Sequence, residues 1–166
     1  MARKTFLGFF RDQRQVIPPV VKADLSGKTV VVVGTNVGLG FEAAKHFATM
    51  NPERLILACR NQAKGDAAIA STFYLRVLLK SCVSYSTMYL ELEQETGYKK
   101  AELWIIDLTE FSSVKKFVDK FENEGGRLDI LVENAGIAIG EYQPTPDDWE
   151  STCTLHLLFL YFQMLI

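Results

Sequence analysis

The stretch "TVVVVGTNVGLG", Thr29 to Gly40, decides how the chain is read. Five β-branched residues in a row are what a strand buried on both faces requires. Gly34, Gly38 and Gly40 follow at once in the spacing GxxxGxG. Beyond them Leu39, Ala43, Phe47 and Met50 recur near the helical period until Asn51-Pro52 removes a backbone donor. A glycine turn between a buried strand and a helix lets backbone N–H groups approach a pyrophosphate at the positive end of the helix. In that arrangement Gly34 makes the tight turn, Gly38 clears space for the phosphate and Gly40 lets helix and strand pack closely. Taken alone, the pattern serves any tight strand-to-helix connection equally well. Phe41 follows Gly40 where a P-loop would carry Lys and then Ser or Thr, which argues against that class of nucleotide site.

Working outward, short apolar runs alternate with helical stretches. "RLILAC", Arg54 to Cys59, reads as the second strand, ending at Arg60; Asn61 then suits an N-cap for a helix over "NQAKGDAAIA". "AELWII" is the third strand, ending at Asp107. "TEFSSVKKFVDKFENEGG" follows as a capped amphipathic helix stopped by Gly125-Gly126. "LDILV", Leu128 to Val132, is the fourth strand and runs into Glu133-Asn134-Ala135-Gly136. The alternation predicts βαβ units: an α/β, Rossmann-like, doubly wound parallel sheet of about four strands.

The 166 residues are enough for one core-bearing domain, expected over 25–166, behind an N-terminal arm over 1–24 that Pro18-Pro19 punctuates. A net charge of −2 gives no basic field for nucleic acid, so a small-molecule partner is expected. Cys59, Cys82 and Cys153 are odd in number and widely spaced, and His46 and His156 stand far apart. No disulfide framework and no metal site are expected, and a reducing, cytoplasmic setting fits. The apolar run in "MARKTFLGFFRDQRQ" is too short for a signal-peptide core. Weak peripheral contact with a membrane surface through Phe6, Leu7, Phe9 and Phe10 is the lesser reading of the arm.

Two stretches break the rhythm. "STFYLRVLLKSCVSYSTMYL", residues 71–90, contains no acid and interrupts an otherwise ordinary helix; the end, from Cys153 to Ile166, carries no formal charge. Both are too short or too charged to span a membrane.

Arg60, 20 residues past Gly40, sits where this fold brings the end of the second strand beside the adenosine ribose. An acid there would accept from the ribose hydroxyls of NAD, whereas an arginine offers donors to the 2′-phosphate of NADP, so NADP is expected over NAD. A surface arginine at a strand end is the plainer alternative. With Asp107-Leu108 and Asn134-Ala135-Gly136, four strand ends converge on one crevice. On "LSGKTVVVVGTNVGLGFEAA", "LACRN", "IIDL" and "LDILVENAG", in that order, the sequence resembles the short-chain dehydrogenase/reductase family, in its retinol-dehydrogenase-like, NADP-using branch.

The resemblance implies a pyrophosphate held by Gly34, Asn36, Gly38, Leu39 and Gly40. It implies adenine met at Asp107 and Leu108, and a cofactor site shaped by Asn134, Ala135 and Gly136. It also implies the strand order 3-2-1-4 and small carbonyl or alcohol substrates. The sequence departs from the family at Val33, where a Thr is usual, and at Glu133, which replaces the first Asn of the family's "NNAG". His156 falls where the family carries a catalytic Asn, and its reading is that of an incidental residue. The family's Tyr and Lys stand four apart; none of Tyr74, Tyr85, Tyr89, Tyr98, Tyr142 or Tyr161 has such a lysine. No catalytic residue is therefore assigned, and the chain is expected to be a truncated, cofactor-binding half that is inactive alone. Strand 4 would then be an open edge, prone to oligomerisation or aggregation. A non-catalytic module that pairs through that edge is the alternative; a methyltransferase fits Arg60 and the Asn-Ala-Gly turn poorly.

Both odd stretches follow if untranslated sequence has been read as coding. Sequencing the spliced transcript is then expected to show neither; a message that encodes residues 71–90 and stops after Ile166 would overturn this expectation.

Overall fold

A computed structural model describes residues 14, 16, 18–36, 38–60 and 85–165. Among them four strands alternate with four helices: β1 (Thr29–Val33), α1 (Leu39–Ala48), β2 (Arg54–Cys59), α2 (Tyr85–Thr96), β3 (Ala101–Ile105), α3 (Phe111–Lys120), β4 (Ile130–Glu133) and α4 (Ser151–Leu165). The strands form one parallel sheet in the order β3-β2-β1-β4, with Val31 opposite Ile56 on one side and Leu131 on the other. This is the doubly wound α/β sheet, and the strand order, that the sequence leads one to expect.

Alternation along the central strands divides the core in two. Val31, Val33, Ile56 and Ala58 pack with Val114, Phe117, Leu155 and Leu158 beneath α3 and α4. Val30, Val32, Leu55 and Leu57 pack with Phe41, Ala44, Met88 and Leu92 beneath α1 and α2. Every residue of β1 is buried and every residue of β4 is only half-buried.

Element ends differ from the pattern for identifiable reasons. The buried face of α1 is Gly40, Phe41, Ala44 and Ala48; Phe47 packs half-buried at its edge, whereas Leu39 is 82% exposed. Gly40, Ala44 and Ala48 let the helix lie close on the sheet beside Phe41. The helix stops at Ala48, before Asn51, which adopts a left-handed conformation at φ 52. The third strand ends at Ile105: Ile106 still donates to the Cys59 carbonyl at 3.1 Å, but the Asp107 N–H turns to the Ser113 hydroxyl at 2.9 Å. The fourth begins at Ile130, after Asp129, whose carboxylate accepts from the Thr29 N–H at 3.0 Å and from Lys28 Nζ at 3.1 Å. Hydrogen bonds from Arg127, the Thr29 N–H and Lys28 hold the Asp129 carboxyl well below the usual carboxylate range.

Of the charge-poor stretch 71–90, residues 85–90 belong to α2, and Met88 is 2% exposed in the core. That part is structural rather than foreign to the fold. Residues 71–84 lie outside the described residues, as do the helix expected to start at Asn61 and residues 1–13 of the arm. No helix among the described residues is long and apolar enough to cross a membrane.

At the end of the sheet away from the glycine turn, Arg54 holds β2, β3 and the turn after α3 together. Its Nε and Nη2 donate to the two oxygens of Glu102 at 2.7 and 2.8 Å, and Nη1 donates to the carbonyls of Glu124 and Gly125. The hydrogen bonds from Arg54 lower the Glu102 pKa below its ordinary 4.5. Because the folded-state value is the lower one, this pair's stabilisation is complete above the ordinary value and is lost as pH falls through the folded one. Glu102 is partly solvated, which limits the contribution to about 1 kcal/mol. Urea unfolding at a series of pH values is expected to show the stability cost of Glu102→Gln constant above about pH 5 and shrinking steadily as pH falls below the ordinary carboxylate value; a cost that does not change with pH would refute the assignment.

Candidate functional site

The turn after β1 and the turn after β4 meet at the carboxyl end of the sheet. Gly34 has φ 87, and a Cβ there would stand 2.7 Å from the Ala135 backbone. Only glycine tolerates both the left-handed conformation and that approach. Asn134 and Ala135 both donate backbone N–H groups to the Val33 carbonyl, at 3.0 and 3.1 Å, and the Asn134 side-chain amide donates to the Gly34 carbonyl at 3.1 Å. Gly40, buried in the first turn of α1, lies against that same carbonyl, and a Cβ there would overlap it and sit 2.6 Å from Asn134 Nδ2. The loop thus brings the amino end of α1 within reach of the β4 turn.

Gly38 caps α1 at φ 66, with nothing within 4 Å of where a Cβ would stand. Its reason for being glycine is therefore conformation and open space rather than contact. Among the described residues the N–H groups of Thr35 and Asn36 meet no backbone carbonyl. Thr35 is 0% exposed, and its hydroxyl has no hydrogen-bond partner there either. Orphan donors beside a helix amino terminus, with a glycine that leaves the approach clear, are what an anionic phosphate group needs.

A cleft of about 280 Å³ opens beside this turn, at the small end of the range for ligand sites. Of the residues singled out from the sequence, Gly34, Asn36, Arg60, Asp107, Leu108, Asn134, Ala135 and Gly136 line it. Gly38, Leu39 and Gly40 do not line it: they form the start of α1, with Gly38 and Leu39 exposed and Gly40 buried. Arg60 is exposed at the end of β2, across from the β3 end. Asp107 Oδ1 accepts from the N–H and the hydroxyl of Thr109, at 2.9 and 2.6 Å, which fixes the turn after β3.

Val33, Cys59, Ile106, Thr109, Ile137 and Leu155, none of them assigned to the site from the sequence, complete the walls. The D-x-T pattern was legible as a side-chain-locked turn. Cys59 could have been placed as the residue before Arg60, whereas Leu155 reaches the cleft only through the packing of α4. His156, next to it, is exposed and does not line the cleft. Among the described residues no group of three or more His, Cys, Asp or Glu side chains could hold a metal ion.

The parallel sheet has a glycine-rich crossover and a cleft at its strands' carboxyl ends, where the crossovers on either side of β1 leave in opposite directions, which is the doubly wound class of α/β protein. The family model for short chain dehydrogenase matches residues 69–158, and the chain belongs to that family. It is 34% identical over 152 residues to a short chain dehydrogenase/reductase of Cryptosporiopsis, a match that covers 92% of this chain and 41% of that protein. It is 35% identical over 144 residues to the WW domain-containing oxidoreductase of Gallus gallus, covering 86% and 30%. The chain therefore spans less than half the length of these relatives.

In fold it is similar to a short chain dehydrogenase from Mycobacterium smegmatis, with a TM-score of 0.58 at 18% identity over 89% of this chain and 54% of that one. It is also similar to an NADPH-dependent 3-quinuclidinone reductase from Rhodotorula rubra, with a TM-score of 0.56 at 22% identity over 92% and 52%.

The close approach of the two turns makes a quantitative expectation. Gly40→Ala must push backbone against backbone, an overpacking penalty of about 1–3 kcal/mol. Asn134→Ala removes one partly solvated hydrogen bond, worth about 0.5–1.5 kcal/mol. Chemical denaturation should rank the two in that order, and a Gly40→Ala chain as stable as the parent would contradict the geometry.

Proposed function

We propose that this chain carries the cofactor-binding half of a short-chain oxidoreductase of the retinol-dehydrogenase-like branch, with NADP preferred over NAD. Gly34, Asn36, Gly38, Leu39 and Gly40 hold the pyrophosphate through backbone N–H groups and the amino end of α1. Asp107 and Leu108 flank the adenine, and Asn134, Ala135 and Gly136 form the opposite wall. The bound nicotinamide would supply hydride transfer to a carbonyl, or from an alcohol, of a small substrate.

The observation that carries the reading is Arg60 at the rim of the cleft that Gly34 and Asp107 also line. A guanidinium there offers planar, permanently charged donors to a 2′-phosphate, and a 2′-hydroxyl uses them less well. The absence of any Tyr followed by Lys four residues later in these 166 residues supports binding without turnover. The arm over 1–24 and the domain over 25–166 are proposed as its two parts, in a cytoplasmic setting.

Titration of the chain with NADPH and NADH, alongside an assay for NADPH oxidation with a panel of carbonyl compounds, tests the reading. NADPH is expected to bind about tenfold or more tightly, as one charge-assisted hydrogen bond allows. Arg60→Ala should abolish the difference while leaving NADH binding in place, and NADPH oxidation should stay at background. Equal affinity for the two nucleotides, or a preference that survives Arg60→Ala, would refute the NADP assignment; robust turnover would refute the inactive half.

A further inference from the structure

We infer that the apolar groove between α3 and α4 is a docking site for this chain's own amino-terminal segment, residues 1–13, held by its phenylalanines and by charge at both ends. The inference is independent of nucleotide binding. The groove has a volume of about 780 Å³ and is walled by Phe111, Val114 and Val118 of α3, by Trp149 just before α4, and by Leu157 and Leu158 of α4. Phe111, Trp149 and Leu157 are 39%, 48% and 45% exposed, and the first two rings meet edge-to-face at 5.9 Å. Large apolar side chains left open in one place mark a surface that takes a partner.

Charge and reach identify the partner. Acids flank the groove at both ends. At one end Asp147 Oδ2 accepts from the Phe111 N–H at 2.8 Å, beside the exposed Asp148. At the other stand the exposed Asp119 and Glu122, and Lys115 is the cation among the lining residues. The segment carries the complementary order: Arg3 and Lys4, then Phe6, Leu7, Phe9 and Phe10, then Arg11. Phe6, Phe9 and Phe10 fall at i, i+3 and i+4, the spacing by which an apolar face is laid into a groove. Phe111 to Glu122 rises about 16 Å along a helix axis, and Lys4 to Arg11 covers about 10 Å as a helix and about 23 Å when extended. Residues 18–24 are exposed, and the chain enters the fold at Leu25, whose N–H donates to the Met50 carbonyl at 2.9 Å. Lys28 then pairs with Asp129 at the amino end of the sheet, the end where Glu124 and Gly125, just past Glu122, accept from Arg54. From there residues 11–24 reach about 45 Å when extended, against a radius of gyration of about 13 Å for a domain of 100 residues. A membrane surface would take up the same phenylalanines but would leave the apolar side chains of the groove in water.

Trp149 reports the contact, because the second of the two tryptophans, Trp104, is 3% exposed and shielded in any case. The test compares the full chain with Phe6→Ser/Phe9→Ser/Phe10→Ser and with Asp119→Lys/Glu122→Lys, all of them changes outside the core. Acrylamide quenching of tryptophan fluorescence is read beside sedimentation velocity and flotation with phosphatidylserine/phosphatidylcholine vesicles. The parent is expected to be a monomer with both tryptophans shielded, and the triple variant a monomer with one of them open to the quencher. The charge-reversed variant should lose the shielding at physiological salt, where the parent loses it only as salt is raised. A parent in which Trp149 is quenched as freely as in the triple variant overturns the inference. Shielding that disappears on dilution, together with a dimer in sedimentation, gives the groove to a second copy and overturns it. Vesicle binding by the parent that the triple variant lacks, with Trp149 open in both without vesicles, gives the segment to a membrane and overturns it as well.

Discussion

The contact on which the rest of the structure depends is the passage of the turn after β1 against the turn after β4. Gly34 and Ala135 approach so closely that a single added carbon at Gly34 would stand 2.7 Å from the Ala135 backbone. Three segments remote in sequence are fixed by it: the end of β1, the first turn of α1 and the Asn134-Ala135 pair. Because β1 is flanked by β2 on one side and β4 on the other, the crossovers leave this point in opposite directions. A crevice is the topological consequence. The glycines therefore act twice, once by making the turn possible and once by leaving space where Gly34 meets Ala135 and Gly40 meets the Gly34 carbonyl.

The opposite end of the sheet is tied by charge instead. Asp129 links the beginnings of β1 and β4 through the Thr29 N–H and Lys28, and Arg54 links β2 to β3 and to the turn after α3. Around Arg54 the apolar floor is aromatic: Trp104 meets Phe117 edge-to-face at 5.4 Å, with Lys120 4.2 Å above its ring. One end is thus tied by satisfied ion pairs, while at the glycine end the Thr35 and Asn36 N–H groups meet no backbone carbonyl among the described residues.

What the sequence made legible follows from how local each signal is. β1 and β2 emerge with the ends expected of them because an unbroken β-branched or aliphatic run has only one way to be buried on both faces. β3 ends one residue early and β4 starts two residues late and runs one further, to Glu133, because these ladder positions are decided elsewhere: by Ser113 for the end of β3, by Asp129 for the start of β4 and by the pairing of Glu133 with Val33 for its end. The face of α1 differs for a related reason. The period through Leu39 and Phe47 runs along the flank, where Leu39 is exposed and Phe47 packs only at the edge of the core, whereas Phe41, Ala44 and Ala48 meet the sheet; that rotation is set only once the helix is laid down. The site shows the same division. Its glycines, Arg60, Asp107 and Asn134 stand at strand ends, which are readable; Leu155 enters only through the packing of α4.

The uneven burial of the sheet bears on how binding and chemistry are divided along a chain of this family. The cleft draws on the ends of β1, β2 and β3 and on the inward turn of β4, all on the side where the core is complete. The outer side of β4 is the side where burial falls away, with all four of its residues half-buried. A crevice needs a rigid wall on each flank, and here one flank is β2 and β3, while the other is the Asn134-Ala135 turn, locked to β1 by its own hydrogen bonds. Nothing beyond β4 is required to hold that turn, because the Val33 carbonyl and the Gly34 carbonyl already take its donors. The flank of the cleft formed by the Asn134-Ala135 turn is therefore set by its contacts with the end of β1, while Leu155 of α4 and the Asp107-Thr109 turn complete the walls.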